Sequence, residues 1–452
     1  MALSINTQWE IQTGGNDTNG GGFVAGAAGT NYSLVPGKRV ATGTDDSTTD
    51  AVAAATSVLT SATANFQPSI VGNIIYLQGG TGALANGWYQ VVSRTNATTI
   101  GLDRVVPAGT GITMNIGGAI ATPGGMGRIG ATVVNHIIDN TIWIKAGTYL
   151  QTLATVNVPN GSFSFTQRIH IEGYNTVRGD LGTPPFIQAS GAITGFTMFN
   201  APGISTVWNL SLDCASKASS TGLTIRGHAY KILVQNATNN GIVTSTSGTL
   251  QFCTALNCLP SFTLAVGSEL YACVAGGGAS IGFVSSGNVS FSNCISYGHT
   301  GATGYGFEGI GESQLFTNCV AYGNSKDGFR NNSDPASTYI NCVAEGNAEF
   351  GFRTITNSKY INCAGFNNTL GNVSIGPDVR ARNISFITGT ATFFTSPGTQ
   401  NFSLNNTAGG GALLRETGIP GLFLGISTTG YLDVGAVQHQ GGGGGGESSA
   451  VF

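Results

Sequence analysis

Large apolar residues recur along residues 195–407 with a period far longer than that of a single helix or strand. One signature is Gly followed by a large apolar residue: Gly195-Phe196, Gly222-Leu223, Gly241-Ile242, Gly282-Phe283, Gly306-Phe307, Gly328-Phe329 and Gly351-Phe352. The other is a strand-like block ending at Cys: Phe291-Ser-Asn-Cys294, Phe316-Thr-Asn-Cys319, Tyr339-Ile-Asn-Cys342 and Tyr360-Ile-Asn-Cys363. The cysteines lie 319−294 = 25, 342−319 = 23 and 363−342 = 21 residues apart. The phenylalanines lie 307−283 = 24, 329−307 = 22 and 352−329 = 23 apart. Two signatures sharing one period of twenty-odd residues predict stacked coils.

A coil of this length cannot bury its apolar residues alone. Neighbours must pair as parallel strands about 4.8 Å apart. The crossover rule for parallel strands favours a right-handed solenoid. The expected fold is therefore all-β: a right-handed parallel β-helix of about 20–25 residues per coil, with a small N-terminal β module and a C-terminal cap. The expected rungs are 210, 233, 253, 273, 294, 319, 342, 363, 384 and 404, with Leu210, Leu233, Ile384 and Leu404 replacing Cys. Ten rungs would make a rod roughly 45–50 Å long. The structural ladder is expected at Cys253, Cys273, Cys294, Cys319, Cys342 and Cys363, with Phe283, Phe307, Phe329 and Phe352. Five residues after successive cysteines stand His299, Asn324, Asn347 and Asn368, a column whose amides can bond along the axis.

The remaining chain divides by its punctuation. Residues 1–59 read as an attachment or capping segment with a Gly/Asn-rich loop, and a short helix is expected from Ala51 to Leu59, capped by Asp50. Residues 60–125 read as a small β module with strands at Ile70–Leu77, Gly87–Val92 and Thr98–Leu102. The β-helix follows at 126–407, a C-terminal cap at 408–440 closing the end of the stack, and a Gly-rich flexible tail at 441–452.

Composition narrows the function. Gly is 70 of 452 residues and charged residues are 9% of the chain, so the coils must be rich in turns and poor in charge. Eighteen Lys+Arg against 21 Asp+Glu leaves no basic footprint for nucleic acid. The N-terminus lacks the charged and apolar regions of a signal peptide, and no apolar run is long enough to span a membrane. An extracellular style of composition without that signal suggests release by another route, of which cell lysis is one. Six of the eight cysteines follow the coil period and are expected as free core residues rather than bridges or zinc ligands.

Candidate chemistry is sparse. Glycoside cleavage needs two carboxylates about 5–9.5 Å apart on one face, which adjacent rungs could supply. The candidates are Glu308, Glu312 and Asp327. The residue after each repeated Phe reads Glu308, Arg330, Arg353, which instead suggests an ion-pair column. Asp45, Asp46 and Asp50 are the candidates for a cation, against a solvated turn. Tyr297, Tyr305 and Tyr322 could stack on sugars. With five His and no Gly-x-Ser-x-Gly, a Ser/His/Asp centre is not expected, and neither is a cofactor.

The Phe/Tyr-x-Asn-Cys and Gly-Phe coils resemble right-handed parallel β-helix proteins of the pectate-lyase-like superfamily. More specifically, the chain resembles β-helix structural proteins of bacteriophages. The matching pieces are Trp9-x-Ile-x-Thr-Gly-Gly-Asn-Asp-Thr-Asn-Gly-Gly-Gly-Phe23, Val71-Gly-Asn-Ile-Ile-Tyr, Gly173-Tyr-Asn-Thr-Val-Arg-Gly-Asp180 and Tyr431-Leu-Asp-Val-Gly-Ala-Val-Gln438. The resemblance implies a non-enzymatic virion component, either a capsid decoration or a head or tail fibre. It would be exposed on the particle surface, homotrimeric, and partnered by other capsid or tail proteins. The alternatives are a tail-spike depolymerase, hydrolase or lyase, acting on host surface polysaccharide, and a non-catalytic glycan-binding adhesin. The acidic clusters of the superfamily's enzymes map onto no position of this chain.

Overall fold

A computed structural model describes residues 6–35, 47–82, 86–125, 140–152, 156–157, 169–201, 205–311, 313–332, 337–354, 358–375, 386–415, 417–418 and 433–437. The described chain is almost entirely β: a parallel β-solenoid of about 8 turns at ~22 residues per coil, plus a small barrel-like module. It divides into two compact units, residues 1–213 and 214–452.

The first unit begins with an antiparallel pair, β1 (Thr7–Ile11) and β2 (Gly22–Val24). Six strands then close into the barrel: β3 (Ser47–Ala53), β4 (Val58–Thr60), β5 (Ile74–Gln78), β7 (Gly87–Asn96), β8 (Thr99–Leu102) and β9 (Gly109–Ile116), with the two-residue β6 (Thr81–Gly82) on β9. The order β3-β4-β8-β7-β5-β9 returns to β3, so no strand of the ring is left with an unpaired edge. The helix expected from Ala51 to Leu59 is not formed. Ala51, Ala53 and Leu59 point into the barrel core with Phe66, Ile75 and Ile112, an alternation that suits strands.

The coils of this unit are β10 (Thr141–Lys145), β11 (Thr148–Gln151), β12 (Val156–Asn157), β13 (Ile169–Tyr174), β14 (Phe186–Ala189), β15 (Thr197–Ala201) and β16 (Ser205–Asp213). β1 joins them: it pairs in parallel with β10, which pairs with β13, which pairs with β16. The chain's first described strand is therefore the first rung of this sheet, and fully buried Trp9 beside Ile142 starts its core.

In the second unit each regular coil contributes three short strands. One lies in a sheet running through 262–264, 283–286, 307–310, 329–331 and 350–354. Two lie in a second sheet, for example 290–292 and 295–297, with one left-handed residue between them. That corner residue is Phe252, Ala272, Asn293, Asn318, Asn341 or Asn362, each with φ between 50 and 56°. Asn tolerates this conformation better than most side chains, which explains the Asn of the Asn-Cys motif. The corner amides also bond coil to coil: Asn318 donates to Asn293 at 3.1 Å, Asn341 to Asn318 at 3.0 Å and Asn362 to Asn341 at 3.2 Å.

The core is built of stacked rings. Phe262, Phe283, Phe307, Phe329 and Phe352 stack with centroids 4.6, 4.7, 4.8 and 4.8 Å apart. Phe291, Phe316, Tyr339 and Tyr360 form a second stack at 4.8, 4.8 and 5.1 Å. The two stacks meet edge to face at 5.5–5.8 Å. Ring spacing thus equals strand spacing, so each coil presents its ring to the next in offset register. The six period cysteines, with Cys214 and Cys258, are free and buried. The thiols of the six period cysteines and of Cys258 donate to carbonyls two residues back, as in Cys294 to Ser292 at 3.4 Å. Complete burial pushes thiols such as Cys273 and Cys319 well up, which makes them unreactive packing groups.

Asn324 donates to Asn347 at 2.9 Å, and Asn347 to Asn368 at 2.8 Å, so the column after the cysteines bonds along the axis. The Gly before each Phe gives this column its space. A Cβ on Gly306, Gly328 or Gly351 would sit 2.5–2.7 Å from a carbonyl of the next coil and 2.8–2.9 Å from Asn324, Asn347 or Asn368.

Two rungs fall elsewhere than expected. Leu233 pairs with Thr254, so it is the fully buried Ile232, one residue earlier, that aligns with Cys253. Leu404 ends a strand, Asn401–Leu404, that runs antiparallel to Phe394–Ser396 in a separate hairpin. Ile384 lies outside the described residues, and the coil after Cys363 continues through Phe386. The hairpin's Phe394, Phe402 and Leu404, with Leu414, Val434 and Ala436, pack against Val274, Ile295, Val320, Val343 and Ala364, one from each of five successive coils. The described part of the C-terminal segment therefore lies along a flank of these coils.

Candidate functional site

Of the catalytic candidates, Glu308 stands in the outward column of the second unit. Glu308 pairs in register with Arg330, and Arg330 with Arg353. Glu308 accepts from Asn332 at 2.9 Å and lies 3.6 Å from the Arg330 guanidinium. Arg330 in turn donates to Asn332 at 2.7 Å and covers the Tyr305 ring at 4.2 Å. The Asp327 side chain is fully buried, accepts from the Phe350 amide at 3.0 Å, and lies 3.6 Å from Arg353. Glu349 bonds Lys326 at 2.6 Å and contacts Arg353 at 3.4 Å. Burial raises the proton affinity of Glu308, partly offset by Arg330, and that of Asp327, partly offset by the Phe350 amide and Arg353. Three carboxylates and three cations thus interlock over neighbouring coils.

The other sequence candidates are dispersed. Glu312, Asp45 and Asp46 lie outside the described residues. Asp50 accepts from the Ser61 hydroxyl at 2.5 Å and from the Thr63 amide at 2.9 Å, bracing a barrel turn. Among the described residues no three His, Cys, Asp or Glu side chains are grouped to hold a metal ion. Tyr297 and Tyr322 are not free platforms. Their rings pack against Phe402 at 5.5 and 5.7 Å, and Tyr305 is covered by Arg330. A cavity of about 370 Å³ lies between coils, lined by Ser268, Glu269, Ser290, Gln314, Leu315 and Thr338, with Glu269 its one carboxylate. Among the described residues, no helix is long and apolar enough to cross a membrane.

Sequence reasoning missed the outward face of the first unit. Registers Gln8–Thr141–His170–Thr206 and Glu10–Trp143–Glu172–Trp208 form two parallel columns there. The Glu10 side chain is fully buried. It receives two bonds from Arg178, at 2.6 and 3.0 Å, one from Gln12 at 3.0 Å and one from the Tyr174 hydroxyl. Burial, together with the Glu10 carboxyl hydrogen-bonded to it, pushes the Tyr174 phenol far above its usual range. This clasp fixes the first strand to a later loop. Beside it, His170 bridges Glu172 at 2.7 Å and Thr206 at 2.6 Å, with Trp143 and Trp208 edge-on to its ring at 6.0 and 4.9 Å. The only signal in the sequence was His170-x-Glu172, whose alternation puts both side chains on one face.

No family model matches the chain, and no curated protein matches it in sequence. Solved structures do resemble it. The pectate lyase Pel9A is 15% identical at a TM-score of 0.48, over 72% of this chain and 92% of that one. The A-module of the mannuronan C-5 epimerase AlgE4 of Azotobacter vinelandii is 14% identical at 0.37, over 51% and 70%. The tailspike protein gp49 of Pseudomonas phage LKA1 is 10% identical at 0.17, over 75% and 65%. With identities this low and TM-scores below 0.5, the likeness carries nothing about activity.

Proposed function

We propose that the chain is a structural component of a bacteriophage particle, a capsid decoration or a head or tail fibre, that cleaves no polysaccharide. In this reading the coils are a rigid support exposed on the virion surface. Other capsid or tail proteins hold it, and copies associate as homotrimers. The supporting observation is the state of three carboxylates of the second unit. Glu308 is held by Asn332 and Arg330, Asp327 by the Phe350 amide and Arg353, and Glu349 by Lys326. Charges tied coil to coil stiffen a stack and leave little for an incoming substrate. Particles purified to constant composition should contain the chain in a fixed ratio to the major shell protein. Its absence from them would sink the proposal.

One observation favours the depolymerase reading instead. Glu308 and Asp327 lie close enough to influence each other, and burial raises both carboxyls, as a general acid for glycoside cleavage requires. In that reading Glu308 protonates the leaving oxygen of a host polysaccharide.

A further inference from the structure

His170 and Thr206 are 36 residues apart in the chain yet direct partners on β13 and β16. Glu172, two residues along β13, shares their face. The Thr206 hydroxyl lies 2.6 Å from His170 Nδ1, and His170 Nε2 lies 2.7 Å from Glu172 Oε2. When Nε2–H donates to the carboxylate, Nδ1 is left to accept from the hydroxyl. The ring is held edge-on by both indoles, while 26% of the His170 side chain remains exposed. The Glu172 side chain is 5% exposed, and its Oε1 is buried without a hydrogen-bond partner. That carboxylate orients the imidazole and offsets the charge the ring acquires on taking up a proton.

We propose that Thr206, His170 and Glu172 form a hydrolytic centre for carboxylic esters of small acyl groups, an activity separate from the structural role above. Thr206 is the nucleophile, His170 the base and then the acid, and Glu172 the group that orients it. Thr206 Oγ1 attacks the carbonyl carbon as its proton passes to Nδ1. The bond to the ester oxygen breaks, and the alcohol leaves with that proton. Water then gives a proton to Nδ1 and attacks the acyl-threonine. The Oγ1–acyl bond breaks, Oγ1 regains the proton, and the carboxylic acid departs. The sum is ester plus water to acid plus alcohol, with no other reactant. The β-methyl of Thr206 and the flanking Trp143 and Trp208 restrict the acyl group to a small one.

The test uses the full chain with 4-nitrophenyl acetate as the probe. The wild type should exceed an equal concentration of free imidazole. Thr206→Val, which keeps shape and strand preference, should lower turnover about 100-fold or more, as should His170→Asn, whereas Thr206→Ser should retain it. A fluorophosphonate should add covalently to the peptide bearing Thr206, and the Thr206→Val melting curve should match the wild type. Equal turnover by wild type and Thr206→Val, turnover no faster than imidazole, or no adduct on Thr206 would each overturn the proposal and leave the relay a structural hydrogen-bond chain.

Discussion

The aromatic, corner-Asn and Cys rows of the coils between 283 and 363 repeat one kind of residue from rung to rung; the outward rows of β10, β13 and β16 do not. In the first region Phe stacks on Phe, Asn bonds Asn, and Cys follows Cys. In the second, Thr141, His170 and Thr206 share a row, and Trp143, Glu172 and Trp208 share the next. A homogeneous row satisfies each group with its own copy one strand away, which is a way to build length. A heterogeneous row pairs unlike groups, which is what chemistry needs.

The comparison is broken most severely by emptying a homogeneous row. Phe329→Ala leaves a cavity between Phe307 and Phe352 and should cost about 3–5 kcal/mol in a denaturant titration. A loss under about 1 kcal/mol would mean that the stack does not hold the coils together. The next effect concerns the one unlike member of the Asn column. His299 is buried, and burial, partly offset by the Ala275 and Gly278 backbone, lowers its pKa from 6.5 to about 4. The unfolded chain therefore binds the proton first. Stability from this group is complete above pH 6.5, falls as pH drops toward 4, and is flat below, a loss of about 3 kcal/mol. Buried Glu345 and Asp327, whose pKa values are raised, work in the opposite sense, so the readout is the difference between wild type and His299→Asn. That difference should stop changing with pH above 6.5. Smaller still is Asn341→Ala, which removes two corner bonds and puts Ala in left-handed backbone. About 2 kcal/mol is expected, and Asn341→Gly should recover the backbone part of it.

The same contrast explains what was legible in the sequence. Repeated Phe and Cys reported the coil period directly, and the Glu308–Arg330–Arg353 column followed from it. Where the repeat weakened, the rung slipped by one, so that Leu233 was read for Ile232. Leu404 kept the spacing but belongs to a hairpin, because its neighbours bury Phe394 and Phe402 on the flank. The barrel has no repeat, and Ala51 and Ala53 suited a helix by propensity until the barrel core claimed them. The Thr206–His170–Glu172 relay was invisible because its register depends on pairing across a 36-residue separation.

In the proposed reading Glu308, Asp327 and Glu349 hold coils together and cleave no polysaccharide. Bacterial capsules and lipopolysaccharides should be incubated with wild type and with Glu308→Gln, and reducing ends and unsaturated uronates measured. No release by either protein is expected. Release by the wild type that falls in Glu308→Gln would contradict it.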